Sequence, residues 1–153
     1  MNPLDVLLIG LMLLFILFGK YDGLYTQFSR LLSILISIYL STIMISTLMP
    51  FFIPYIGVSK YTRFMTFYLS LSIFYLAIRF IINMILYKYE PSQKNIKIQS
   101  VFGLIIGGLN GFLILSIIVS ILNLGISEQV LSQLKNSTVF SYLNNFTILI
   151  NVK

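Results

Sequence analysis

The groups able to do chemistry in this chain are few. Its carboxylates are Asp5, Asp22, Glu90 and Glu128, no two of them close in sequence, and it has neither His nor Cys. Without Cys there is no thiol nucleophile, thiolate ligand or disulfide. Without His the commonest metal ligand and general base is missing. Carboxylates can do acid–base work, but a nucleophile–base pair would have to be gathered from distant parts of the chain. The inventory points away from an enzyme, and no cofactor or metal is expected. What remains is one arginine inside an apolar run, Arg79, the amides Asn83, Asn110 and Asn123 within or beside such runs, and two rows of small residues.

The first row is Gly103, Gly107 and Gly111, with Gly108 beside it, inside the uncharged run Ile98–Ser127. About 20 apolar residues cross a bilayer as a helix, and glycine at every fourth place leaves a bare stripe where a second helix reaches the backbone. In a soluble helix each of these glycines would cost about 1 kcal/mol relative to alanine, so the spacing implies a packing use. The second row is Ser29, Ser33, Ser37 and Ser41. The expectation is that the glycines dock on the serines, hydroxyls bonding across for about 0.6 kcal/mol each. A functional variant of this reading uses one row for self-association. The amides read as further helix–helix hydrogen bonds.

Arg79 lies past the middle of the run Phe64–Tyr87, by about 5 Å of helical rise. A snorkelling stem reaches that far. The competing reading is a buried cation paired with a carboxylate. In a four-span arrangement Asp22 sits on the face where that run exits and Asp5 on the opposite one, so Asp22 is the expected partner.

Composition says what must position these groups. The chain of 153 residues is 58% hydrophobic and only 9% charged, with a mean hydropathy of +0.98. Soluble domains carry about 25% charged residues, so the solvent for most of this surface is lipid, and one membrane domain is expected. The net charge of +6 is spread through every loop. That fits membrane insertion and not a nucleic-acid face, which needs clustered Lys/Arg.

Four spans follow, at about 4–20, 24–49, 64–87 and 100–124. The first apolar run, Val6–Gly19, rises about 21 Å, and Leu4, Tyr21 and the Lys20 stem extend it. Asp5 ahead of it and the lack of a small-residue triplet after it argue against a cleaved signal peptide. Lys20–Gly23 reads as a tight polar turn with Gly23 in a left-handed conformation. Pro50 and Pro54 should end the second span, leaving Phe51–Arg63 as an aromatic interfacial loop and Lys88–Gln99 as the aqueous one. After Gly125, Ile126, Val130, Leu131 and Leu134 follow a Ser127 cap at helical spacing, and Phe140, Leu143 and Phe146 continue the apolar face. That tail reads as a helix lying on the membrane surface. The expected fold is an all-α integral membrane protein, a four-span domain over 1–125 plus an amphipathic tail over 126–153. One side carries Lys20, Arg30, Lys88, Lys94 and Lys97 and the other Lys60, Arg63, Lys135 and Lys153, which places the first side in the cytoplasm and both termini outside.

The order of these pieces resembles the colicin V production protein family of bacterial inner-membrane proteins, over Asn2 to Phe146. The resemblance rests on Leu4-Asp5 opening the first span and Asp22-Gly23-Leu24 in the turn. It rests also on Val101-Phe102-Gly103 with Gly107 and Gly111 in the fourth span, and on Leu134, Ser137 and Leu143 in the tail. The chain departs from the family pattern where an Asp-Arg pair reads Gln99-Ser100, an acid after the turn glycine reads Gln27, and a base before the last glycine reads Asn110. The resemblance implies an envelope role in making or exporting a peptide bacteriocin, with no defined reaction. The expected partners are the lipid bilayer, further copies of the chain or other membrane proteins, and no nucleic acid. The alternative is a small oligomeric channel or transporter subunit with Arg79, Asn110 and the serine row facing water.

Overall fold

The computed structural model describes residues 3–57, 60–87, 96–125, 134 and 136–150. Helix α1 spans Pro3–Ile56, α2 Lys60–Tyr87, α3 Ile96–Gly125 and α4 Thr138–Ile150, and the described residues form no strand. Stretches Pro3–Tyr55, Tyr61–Leu86 and Gln99–Leu122 are each long and apolar enough to cross a membrane. The side chains are arranged as such helices require. Large apolar residues such as Leu13, Ile73 and Ile105 lie outward, while Ser33, Thr66 and Asn110 are buried. A water-soluble protein does the reverse. The chain is an all-α integral membrane protein.

As a straight rod, 54 helical residues would measure about 80 Å, well over twice a hydrocarbon core of about 30 Å. Gly23 breaks the rod, with φ 75° and ψ 173°. That is the mirror image of an extended conformation, which only glycine adopts at low cost, and not the left-handed helical one expected. The polar turn is shorter than expected too, since helix continues on either side of Gly23. We refer to residues 3–22 and 24–56 as the first and second arms of α1.

The prolines do not end the second arm where expected. Helix runs through Pro50 and Pro54 to Ile56, so most of the expected interfacial loop is helical. Proline removes a ladder bond but is tolerated in membrane helices where local adjustments re-satisfy the freed groups. The end comes at Gly57, whose φ of 81° and N–H to the Ile53 carbonyl (2.8 Å) close the helix. Of the expected aqueous segment Lys88–Gln99, residues 96–99 already belong to α3, and residues 88–95, like the tail positions Ile126, Ser127, Val130 and Leu131, lie outside the described residues.

The chain divides into two compact units, residues 1–28 with 92–153, and residues 29–91. The first contains the first arm, the turn, α3 and α4. Within it α4 packs on α3. In this unit Leu8, Leu115, Val119, Phe140 and Leu143 form a buried cluster, flanked by Leu4, Met12 and Phe112. The second unit holds the rest of the second arm and α2. Ser29 at one end bonds to Asn83, and the short connection after Gly57 closes the other end, which makes the two helices antiparallel.

Candidate functional site

The glycine row of α3 meets another glycine pair rather than the serines. A Cβ built on Gly19 would fall on the Gly103 carbonyl oxygen and lie 2.9 Å from the Gly107 Cα. One built on Gly107 would lie 2.7 Å from the Gly19 Cα and 2.8 Å from the Phe15 carbonyl oxygen. Gly111 backs onto the Phe15 side chain, at 2.6 Å from its Cβ. Gly108 faces only the Ile16 side chain, at 3.4 Å. Residues 15 and 19 of the first arm, with Gly23 at its end, therefore form the face that receives 111, 107 and 103 of α3. Backbone touches backbone, and no side chain larger than hydrogen fits at the centre.

The contact order also gives the direction of the chain. Along the first arm, rising residue number runs against falling number on α3, so the two are antiparallel. Four residues after Gly23 meets Gly103, Gln27 meets Asn110. The chain has turned back along α3 at the glycine.

At that return lies a buried amide pair. Asn110 Nδ2 donates to the Gln27 carbonyl at 2.9 Å and to Gln27 Oε1 at 2.8 Å, and Gln27 Nε2 donates to Asp22 Oδ2 at 3.1 Å. The partners fix both amide orientations, since a carbonyl and a carboxylate accept only. Asn110 is 1% exposed and sits eleven residues from Gln99 and twelve from Leu122 in its span, near mid-membrane depth. Its Oδ1 has no hydrogen-bond partner among the described residues. Gln27 and Asn110, two positions at which the chain departs from the pattern it resembles, are thus bonded to each other. Sequence reasoning singled out both positions and did not join them.

A second polar contact was not foreseen at all. Asp5, 7% exposed, accepts from the Ser137 hydroxyl and, at 3.0 Å, from the Val139 N–H. Ser137 Oγ in turn accepts from the Phe140 N–H at 3.1 Å. Ser137 is the N-cap of α4, and Asp5 supplies a negative charge at the same helix end, where the unpaired N–H groups and dipole favour it. The only signal in the sequence was that Leu4-Asp5 and Ser137 both belonged to the family pattern.

In the other unit the serine row is buried, with Ser33, Ser37 and Ser41 each at 0% exposure. Their hydroxyls do not bond across as expected. Ser33 donates to the Ser29 carbonyl and Ser37 to the Ser33 carbonyl, each four residues back on its own helix. Ser29 alone of the row crosses, to Asn83 Oδ1 at 2.6 Å. Helix α2 brings a row of its own, Thr62, Thr66 and Ser70, also buried; Thr66 and Ser70 bond to the backbone of α2 and Thr62 to the Gly57 carbonyl ahead of it. Arg79, half-buried, donates to the Tyr75 hydroxyl one turn back, its guanidinium 5.7 Å from that ring's centre. It is turned back along α2, not outward towards Leu86. Asp22, its expected partner, is exposed and holds Gln27.

The contacts in this set hold helices together. No curated protein and no solved structure matches the chain. A family model does, described as colicin V production protein, over residues 4–148. That match takes in the Asp5 contact at one end, the glycine seam and the α4 cap at the other, and the chain belongs to the colicin V production protein family.

Proposed function

We propose that this is a non-enzymatic, multi-pass protein of the bacterial inner membrane that supports production or export of a peptide toxin and envelope homeostasis. It works as an oligomer or as a partner of other membrane proteins. The family match over residues 4–148 carries the reading. In it the two arms of α1 cross the bilayer separately, giving four crossings with α2 and α3. The reversal at Gly23 supports that count, as does the first arm, whose 20 residues from 3 to 22 rise about 30 Å. Both termini face away from the cytoplasm, on the weak excess of Lys20, Arg30, Lys88, Lys94 and Lys97 over the opposite side.

A water-filled pathway would need its polar residues on an open wall. The serine row and Asn110 are buried instead: Ser33 and Ser37 donate to backbone carbonyls, Ser29 to Asn83 and Asn110 to Gln27, while the Ser41 hydroxyl has no hydrogen-bond partner among the described residues. That favours the supporting role over the channel.

Deleting the gene in a bacteriocin-producing strain tests the proposal. Secreted activity should fall while the peptide still accumulates inside the cell, and crosslinking in native membranes should recover export or envelope proteins. Unchanged secretion together with a steady conductance from the purified protein in planar bilayers would contradict it.

A further inference from the structure

We propose that α4 is a strap held in its groove by the Asp5 latch, and that this polar contact decides whether it docks on the membrane bundle or leaves it. Docking inside a bilayer is driven differently from docking in water. Helix α4 buries Phe140 and Leu143 against Leu8, Leu115 and Val119. In water that burial would hold the helix firmly. Lipid tails, however, are as apolar as leucine, so an apolar face gains little by leaving lipid for protein. Phe140 and Leu143 would be nearly as well placed in the membrane interface as in the groove.

The polar end of α4 is different. The first N–H groups of a helix have no partner within it, and a medium without water leaves them costly. Ser137 caps one from within, at the Phe140 N–H. The Val139 N–H is met from outside the segment, by Asp5 Oδ1, which also takes the Ser137 proton. Asp5 is separated from Ser137 by 132 positions, so the contact ties the beginning of the first arm to the beginning of α4. It is charge-assisted and buried, the conditions under which such bonds are strongest. Asp5 is therefore a positioning residue. With it, α4 covers the end of the first arm and α3. Without it, α4 moves to the bilayer surface and uncovers a groove between Leu8 and Leu115.

Paired spin labels measure this directly, because the chain has no cysteine and accepts labels only where they are introduced. One pair, at Leu7 and Tyr142, reports α4 against the first arm, and a second, at Phe18 and Phe102, reports the glycine seam; all four side chains are more than half exposed. In nanodiscs the otherwise unaltered full chain should give one narrow distance for each pair. Asp5→Ala should move at least half of the Leu7–Tyr142 population to a longer, broad component and leave Phe18–Phe102 unchanged. Unaltered Leu7–Tyr142 distances would overturn the proposal. Broadening of both pairs would overturn it too, by making Asp5 a support of the whole unit. If Asp5→Ala does not accumulate in membranes, Ser137→Ala replaces it with the same label pairs, and the same distance changes support or overturn the latch.

Discussion

The two units solve the same packing problem in opposite ways. Each contains a row of small residues at every fourth position, Gly103–Gly107–Gly111 in one and Ser33–Ser37–Ser41 in the other. At Gly103 and Gly107 the partner is backbone, and a Cβ at Gly19 or Gly107 would lie under 3 Å from main-chain atoms that have nowhere to go. At the serine row a side chain is present and fully buried, and the Ser33 and Ser37 hydroxyls turn back to their own helix. The first seam is therefore intolerant of any added atom, whereas the second is tight but holds groups whose polar part does not cross the interface. Equal spacing does not mean equal sensitivity. What separates the rows is whether backbone itself makes the close approach or the row carries side chains of its own.

The sharpest way to break that contrast is to fill the glycine seam. Gly107→Leu should abolish the folded protein in a membrane-expression assay, since the new side chain would occupy the space of Gly19 and the Phe15 carbonyl. Gly108→Leu should be far milder, because only the Ile16 side chain faces it and can move. Equal tolerance at both positions would remove the seam from the account.

A smaller effect should come from the amide pair beside it. Asn110→Leu removes the donor that satisfies two oxygens of Gln27, and leaving a buried group unpaired costs about 1–3 kcal/mol. Changing Gln27 to Leu as well should recover part of the loss, as measured by a double-mutant cycle on unfolding in mixed micelles. Full additivity would mean that the two amides do not act together.

The smallest effect belongs to the serine side. Ser29 makes the one bond of its row that reaches another helix, to Asn83. Ser29→Ala should cost only about 0.6 kcal/mol in the same unfolding assay, the usual worth of such a bond in a membrane protein. A loss as large as that of Asn110→Leu would show that the hydroxyl row carries more of the second unit than its geometry implies.

The fold class was legible because it follows from bulk properties, apolar runs of spanning length and too little charge for a water-facing surface. The face of α3 was legible as well, since three glycines at one spacing can lie only on one stripe. Its partner was not. Serines 29 to 41 offered the more regular match, whereas the real counterpart is Gly19 and Gly23 with Phe15 beyond them, a stripe that a ring interrupts and a turn cuts off. The course of the second arm past Pro50 was misjudged because proline's cost was taken from soluble helices. The Asp5–Ser137 contact lay beyond any local pattern, as nothing within a few residues of either predicts a partner 132 positions away.

The contrast between the seams reduces to one comparison, Gly19→Ala against Ser37→Ala, unfolded side by side in mixed micelles. Each changes a single heavy atom. Gly19→Ala adds its methyl onto the Gly103 carbonyl, and overpacking of that kind costs about 3 kcal/mol or more where backbone cannot yield. Ser37→Ala removes a hydroxyl bonded only to its own helix and should cost no more than about 0.6 kcal/mol, the usual worth of a side-chain hydrogen bond in a membrane protein. A loss of several kcal/mol at Gly19 with little at Ser37 is the expected result. Equal losses, or a larger one at Ser37, would contradict the account.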